Sequence, residues 1–138
     1  ETGRSVVLVP VSAVHDGTIR ALSYARALQA VHVEAVYFAA DPDVVQELTT
    51  QWWDSGVDIP LSFVEAPFRD LASPLLSEIR RHTRRSDTVV TVVIPELVVT
   101  RWWEHALHGQ TAFFIKRLLL DEPQTVVVSV PLSDTVIL

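Results

Sequence analysis

Most of the residues able to do chemistry fall between Thr88 and Pro131. Arg101 is followed by Trp102 and Trp103, then by Glu104-His105-x-x-His108, and then by Gly109-Gln110-Thr111 at the start of an amphipathic stretch. A guanidinium fork grips two phosphate oxygens. An indole stacks on adenine, a contact worth about 1–3 kcal/mol per base. Consecutive backbone N–H groups at a helix start receive anions, and the Thr111 hydroxyl adds a donor. Together these types could hold the phosphates and base of a nucleotide. Each also has a plainer use: Arg101 in a surface ion pair with Glu96 or Glu104, the tryptophans in a core or interface, and Gly109 in an ordinary helix cap.

Two further patterns suggest catalysis and fail on chemistry. His105 and His108 share a helical face but lack a convincing third ligand, so no metal site is expected. Ser12, His15 and Asp16 contain the types of a nucleophilic triad. Neighbouring residues point different ways, however, and no Gly-x-Ser-x-Gly elbow is present. Binding without turnover is therefore expected. The enzymatic alternative, an adenine-nucleotide α-hydrolase, would need phosphate-loop glycines and a catalytic acid or base.

The elements that position these residues are legible from periodicity. Strand-like apolar runs lie at Val6–Val11, Val31–Phe38, Leu61–Glu65, Thr88–Ile94 and Thr125–Val130, with His32 and Glu34 interrupting the second. Helical spacing follows Asp16-Gly17 (Ile19, Leu22, Ala25 inward) and Asp41-Pro42 (Val44, Val45, Leu48, Trp52), the latter closed by Gly56. It recurs after Ser73-Pro74 (Leu75, Leu76, Ile79) and from about Gln110 to Leu120 (Ala112, Ile115, Leu119). Right-handed crossovers turn this alternation into an α/β doubly wound, five-stranded parallel sheet of order 3-2-1-4-5. Ligands bind such sheets at the switch point, here between the first and fourth strands. The expected nucleotide site is Val11, Ser12 and Ala13 on one side, with Pro95, Glu96, Arg101, His108, Gly109, Gln110 and Thr111 on the other. Pro95 offers no N–H and rigidifies its loop, leaving phosphate contacts there to side chains.

Composition narrows the classes. The 138 residues suit one domain (1–138), and 49% are hydrophobic with a mean hydropathy of +0.28. No run reaches the length of roughly 18 residues that spans a bilayer. A net charge of −6 argues against nucleic acid as a partner. The basic cluster Arg80–Arg85 reads as a helix C-terminus, or else as a docking patch for acidic protein or anionic lipid. Cysteine is absent, so thiol and disulfide chemistry are excluded, and methionine is absent even at position 1. The expectation is a piece excised from a larger protein, with Glu1-Thr2-Gly3 as a cloning remnant.

The opening Val6-Val-Leu-Val-Pro-Val11 and the close, from Gly109-Gln110-Thr111-Ala112 to Val126-Val-Val-Ser-Val-Pro131, resemble universal stress protein domains. Nucleotide-binding members carry a Gly-x-x-Gly turn after the fourth strand and a later Gly-Ser/Thr. This chain keeps Gly109, has Gln110 after it, and reads Ile94-Pro95-Glu96-Leu97 at the early turn. Ser12 stands where an acidic residue usually ends the first strand.

Val93-Ile-Pro-Glu96, Arg101-Trp-Trp103 and His108-Gly-Gln-Thr-Ala112 are similar to a subgroup. It comprises the C-terminal cytoplasmic domains of bacterial permeases of the amino acid–polyamine–cation superfamily and of related potassium-uptake transporters. The resemblance implies a non-catalytic regulatory or dimerising domain, covalently attached to a transmembrane transporter at the cytoplasmic face of the membrane. It further implies cyclic di-AMP, ATP or AMP as a regulatory ligand. A free-standing stress protein that binds ATP or AMP is the alternative. The last strand is expected at a sheet edge, where Val126, Val128 and Val130 would meet a twin strand in a homodimer.

Overall fold

The computed structural model describes residues 3–12, 14, 16–39, 42–65, 72–96, 98 and 121–131. Within them the order is β1 (Arg4–Pro10), α1 (Asp16–Ala27), β2 (His32–Ala39), α2 (Pro42–Ser55), β3 (Leu61–Glu65), α3 (Ala72–Thr83), β4 (Thr88–Pro95) and β5 (Thr125–Val130). All four strand pairings are parallel, and the sheet runs β3-β2-β1-β4-β5. The order expected from the sequence is the one found. The helix expected at Gln110–Leu120 lies outside the described residues.

The central strands alternate between two buried layers because successive side chains leave opposite faces of a strand. Val6, Leu8, Val36, Val90, Val92 and Ile94 share one face with Leu75 and Ile79 of α3. Val7, Val9, Ala35 and Val93 share the other with Ala21, Leu22 and Ala25 of α1 and Leu48 and Trp52 of α2. Burial on both faces explains why β1 and β4 read as continuous apolar runs.

Four local expectations need correction. On α1 the inward face is Gly17, Thr18, Ala21, Leu22 and Ala25, and Ile19 is exposed. A helix of small residues packs close to a sheet, so its apolar stripe is narrower than the larger side chains suggest. On α2 only Leu48 and Trp52 are buried, while Val44 is exposed in the first turn. α3 begins at Ala72, which places Ser73 and Pro74 inside the first turn, where a missing N–H costs no helical bond. Pro95 belongs to β4, buried opposite Val130. Gly56 ends α2 at φ +76°, the left-handed conformation that favours glycine.

Candidate functional site

The chain steps outward from β1 to β2 and β3, then returns to the other side of β1 for β4 and β5. The direction of winding therefore reverses between β1 and β4, and the crevice opens beyond their carboxyl ends. Val11 and Ser12 follow β1 there, and Pro95 and Glu96 close β4. Val11 is buried and its N–H donates to the Val36 carbonyl at 2.9 Å, so it offers no free amide. Glu96 is exposed at the rim.

Ser12 is the informative member. Its Oγ is buried and has no hydrogen-bond partner among the described residues. Buried hydroxyls in native proteins are nearly always paired, and an unmet one costs about 1–3 kcal/mol. A polar atom left open at the switch point fits a site built to receive a polar ligand. The structure thus brings Val11, Ser12, Pro95 and Glu96 to one end of two adjacent strands. Ala13, Arg101, His108, Gly109, Gln110 and Thr111 lie outside the described residues.

Ser12→Ala separates stability from binding. The ligand-free chain is expected to hold its stability or gain up to about 1 kcal/mol, because an unsatisfied buried group is removed. Urea unfolding of both proteins measures this. A clear loss of stability would mean that the hydroxyl has a partner, and would remove Ser12 from the site.

A second polar group, not anticipated from the sequence, sits on β2, level with Leu8 of β1. Glu34 of β2 is buried; it accepts a hydrogen bond from the Ser62 hydroxyl on β3, and the His32 Nε2 lies 3.0 Å from its Oε1. A carboxylate only accepts, so His32 carries its proton on Nε2 in that contact. From α3, Arg81 approaches Glu34 at 3.6 Å and Glu78 at 3.2 Å. The His82 ring lies 5.8 Å from that of His32, and its buried Nε2 has no partner among the described residues.

Burial pushes the Glu34 carboxyl up, but the hydrogen bonds from Ser62 and His32 and the charges of His32 and Arg81 outweigh it, so it ionises below the usual range. His82 is shifted down, first by burial and then by the Arg81 charge beside it. This cluster fastens α3 to β2 and β3, and its members lie outside the segments after β1 and β4 that frame the crevice. Its signal was present in the sequence as His32 and Glu34, two polar residues on the same face of an apolar strand.

The basic cluster is largely occupied internally. Arg80 pairs with Glu122 at 2.9 Å, Arg81 with Glu78 and Glu34, and Arg85 with Asp87 at 3.0 Å. Arg80, Arg81 and His82 form the last turn of α3, where the helix dipole favours cations. That use accounts for the run better than a docking patch does.

On the β5 edge, Val126 is 49% exposed and Val128 is half-buried, whereas Val130 is buried in the core layer shared with α1. Among the described residues, no helix is long and apolar enough to cross a membrane, and no group of three or more His, Cys, Asp or Glu is placed to hold a metal ion.

Among curated proteins, the Potassium transporter KimA of Bacillus subtilis (strain 168) is 24% identical over 130 residues. The match takes in 92% of this chain and 21% of that protein, so the chain spans about a fifth of the relative's length. The model of the KimA potassium transporter C-terminal domain matches residues 3–132. With nearly its whole length matched, the chain belongs to the KimA potassium transporter C-terminal domain family.

Proposed function

We propose that this chain is the regulatory C-terminal domain of a longer potassium transporter, a single non-catalytic unit of universal stress protein type held at the cytoplasmic face of the membrane. In this reading an adenine nucleotide, with cyclic di-AMP the first candidate, enters the crevice between β1 and β4. The Ser12 hydroxyl gains its missing partner there, and Arg101 and the amides of Gly109, Gln110 and Thr111 hold phosphate. The carrying observation is the buried Ser12 Oγ, without a partner among the described residues, at the switch point of the sheet. Family membership and the small share of the relative that is matched support the transporter context. Binding biases transport only if the nucleotide prefers one arrangement of the attached domains over another.

Isothermal titration with cyclic di-AMP, AMP and ATP tests the reading. Heat is expected with at least one of them, and Arg101→Ala and Ser12→Ala should each weaken binding by about tenfold, the equivalent of ~1.4 kcal/mol. Absence of heat with all three would end the sensing role.

Dimerisation through β5 belongs to the same proposal. Two such edges meeting about a two-fold axis would satisfy the backbone groups that an edge leaves open. A two-fold cyclic dinucleotide could then receive the same donors from each subunit. Val126→Lys should leave the fold intact, since the position is half exposed, and should convert a dimer to a monomer in light scattering. A dimer that survives this change uses another surface.

A further inference from the structure

The α2–β3 corner carries a feature that the nucleotide reading does not use. Trp52 and Trp53 are consecutive but have opposite fates: Trp52 is buried, and Trp53 is 80% exposed. Beside them a cavity of ≈ 350 Å³ is lined by Thr49, both tryptophans, Val57, Ile59 and Phe63, and Phe63 is itself 38% exposed. That volume falls within the range of ligand pockets and admits one bulky side chain.

The segment that forms it carries charge of one sign. Residues 42–65 contain Asp43, Glu47, Asp54, Asp58 and Glu65, and no Lys, Arg or His. Asp54, next to Trp53, has no ion pair among the described residues, while Asp58 on the cavity wall already pairs with the guanidinium of Arg26 from α1. β3 is the outer strand of the sheet on this side.

We propose that this groove docks a cationic peptide segment carrying a bulky apolar side chain. The apolar side chain enters the cavity against Trp53 and Phe63. Flanking Arg or Lys residues meet Asp54 and compete with Arg26 for Asp58, and a guanidinium can also lie over the exposed indole. An extended segment can in addition pair with β3, the outer strand of the sheet among the described residues. Charge selects this occupant over the others. A second copy of the same acidic face would set like charges opposite one another, and an anionic lipid surface would be repelled. The proposal stands independently of nucleotide binding.

Fluorescence anisotropy of a labelled peptide alternating arginine and serine around a central phenylalanine tests it on the 138-residue chain. Saturable binding that weakens with added salt is expected. Trp53→Ala and the double change Asp54→Asn with Asp58→Asn should each weaken it by about tenfold or more. A peptide with glutamate in place of arginine should not bind, and one with alanine in place of phenylalanine should bind at least about tenfold more weakly. Circular dichroism checks each variant, and the asparagine pair keeps the test open if Trp53→Ala fails to fold.

Three results would overturn the proposal: affinity unchanged in both variants, self-association of the chain that Trp53→Ala abolishes, or binding to phosphatidylcholine vesicles without binding to the arginine peptide. The first would detach the peptide from this groove, the second would assign it to a second copy, and the third to lipid.

Discussion

Trp52→Ala is expected to destabilise the chain by about 3–5 kcal/mol, the range for truncating a buried aromatic residue. Small domains have a total stability of about 5–15 kcal/mol, so the variant should sit near the edge of folding at ambient temperature. The reason is position. Trp52 joins Leu48 of α2 to the layer formed by Val7, Val9 and Ala35. Its indole N–H also donates to the Ile59 carbonyl at 2.9 Å, tying the end of the helix to the segment that enters β3. Trp52→Phe keeps much of the packing but leaves that carbonyl unmet, and should cost about 1–3 kcal/mol. Trp53→Ala, one residue along, should change stability by less than about 0.5 kcal/mol, as exposed substitutions do. Urea unfolding of the three variants gives the comparison. Equal losses at positions 52 and 53 would contradict the burial difference on which both the fold and the proposed groove depend.

The two tryptophans also show how far the sequence can be read. Helical spacing from Leu48 assigns Trp52 to the core, and that assignment is local. Which carbonyl its N–H meets depends on the path of the loop after Gly56, and spacing does not give that. The strands were legible because β-branched residues gathered in short runs, and the sheet order followed from chirality once helices alternated with them. Ser12 could be placed at the switch point by the same argument.

The Glu34 cluster could not. Its members come from β2, β3 and α3, and the contact between Glu34 and Ser62 spans 28 residues. In the sequence, His32 and Glu34 read only as interruptions of an apolar strand; the basic run after Ile79 gave no sign that Arg81 reaches toward Glu34. The helix faces were misjudged at Ile19 and Val44 for a related reason. Periodicity marks an apolar stripe, but the closeness of the sheet decides which part of it is covered.

Glu34→Gln should cost about 2 kcal/mol near pH 7, in line with charge-assisted hydrogen bonds worth about 1.5–3 kcal/mol each way from a buried carboxylate. The substitution preserves shape, so the loss reports the charge. Its pH dependence distinguishes this from a packing defect. Both Glu34 and His82 have folded-state pKa values depressed below their ordinary values. For each, the unfolded chain binds protons more readily than the folded one, so stability rises with pH.

The contribution of His82 is complete above its ordinary value of 6.5 and is lost as pH falls below it, because protonation puts a second cation beside Arg81 in a partly buried site. The contribution of Glu34 is complete above 4.5 and is lost at lower pH, as the carboxylate that holds Ser62, His32 and Arg81 is neutralised. Stability should therefore be level above neutrality and decline in two stages on acidification. In Glu34→Gln the second stage should shrink to what Asp87 and Glu122, whose carboxyls are also held below their usual range by Arg85 and Arg80, contribute, and the variant and the parent should converge as pH falls below 4.5. His82 in that variant loses the nearby negative charge that favours its protonated form, so the first stage should persist. Urea unfolding at intervals from neutral to acid pH measures both limbs. A gap between the two proteins that stays constant through the acid range would assign the loss to shape, and would leave the ion cluster without a part in holding α3 to the sheet.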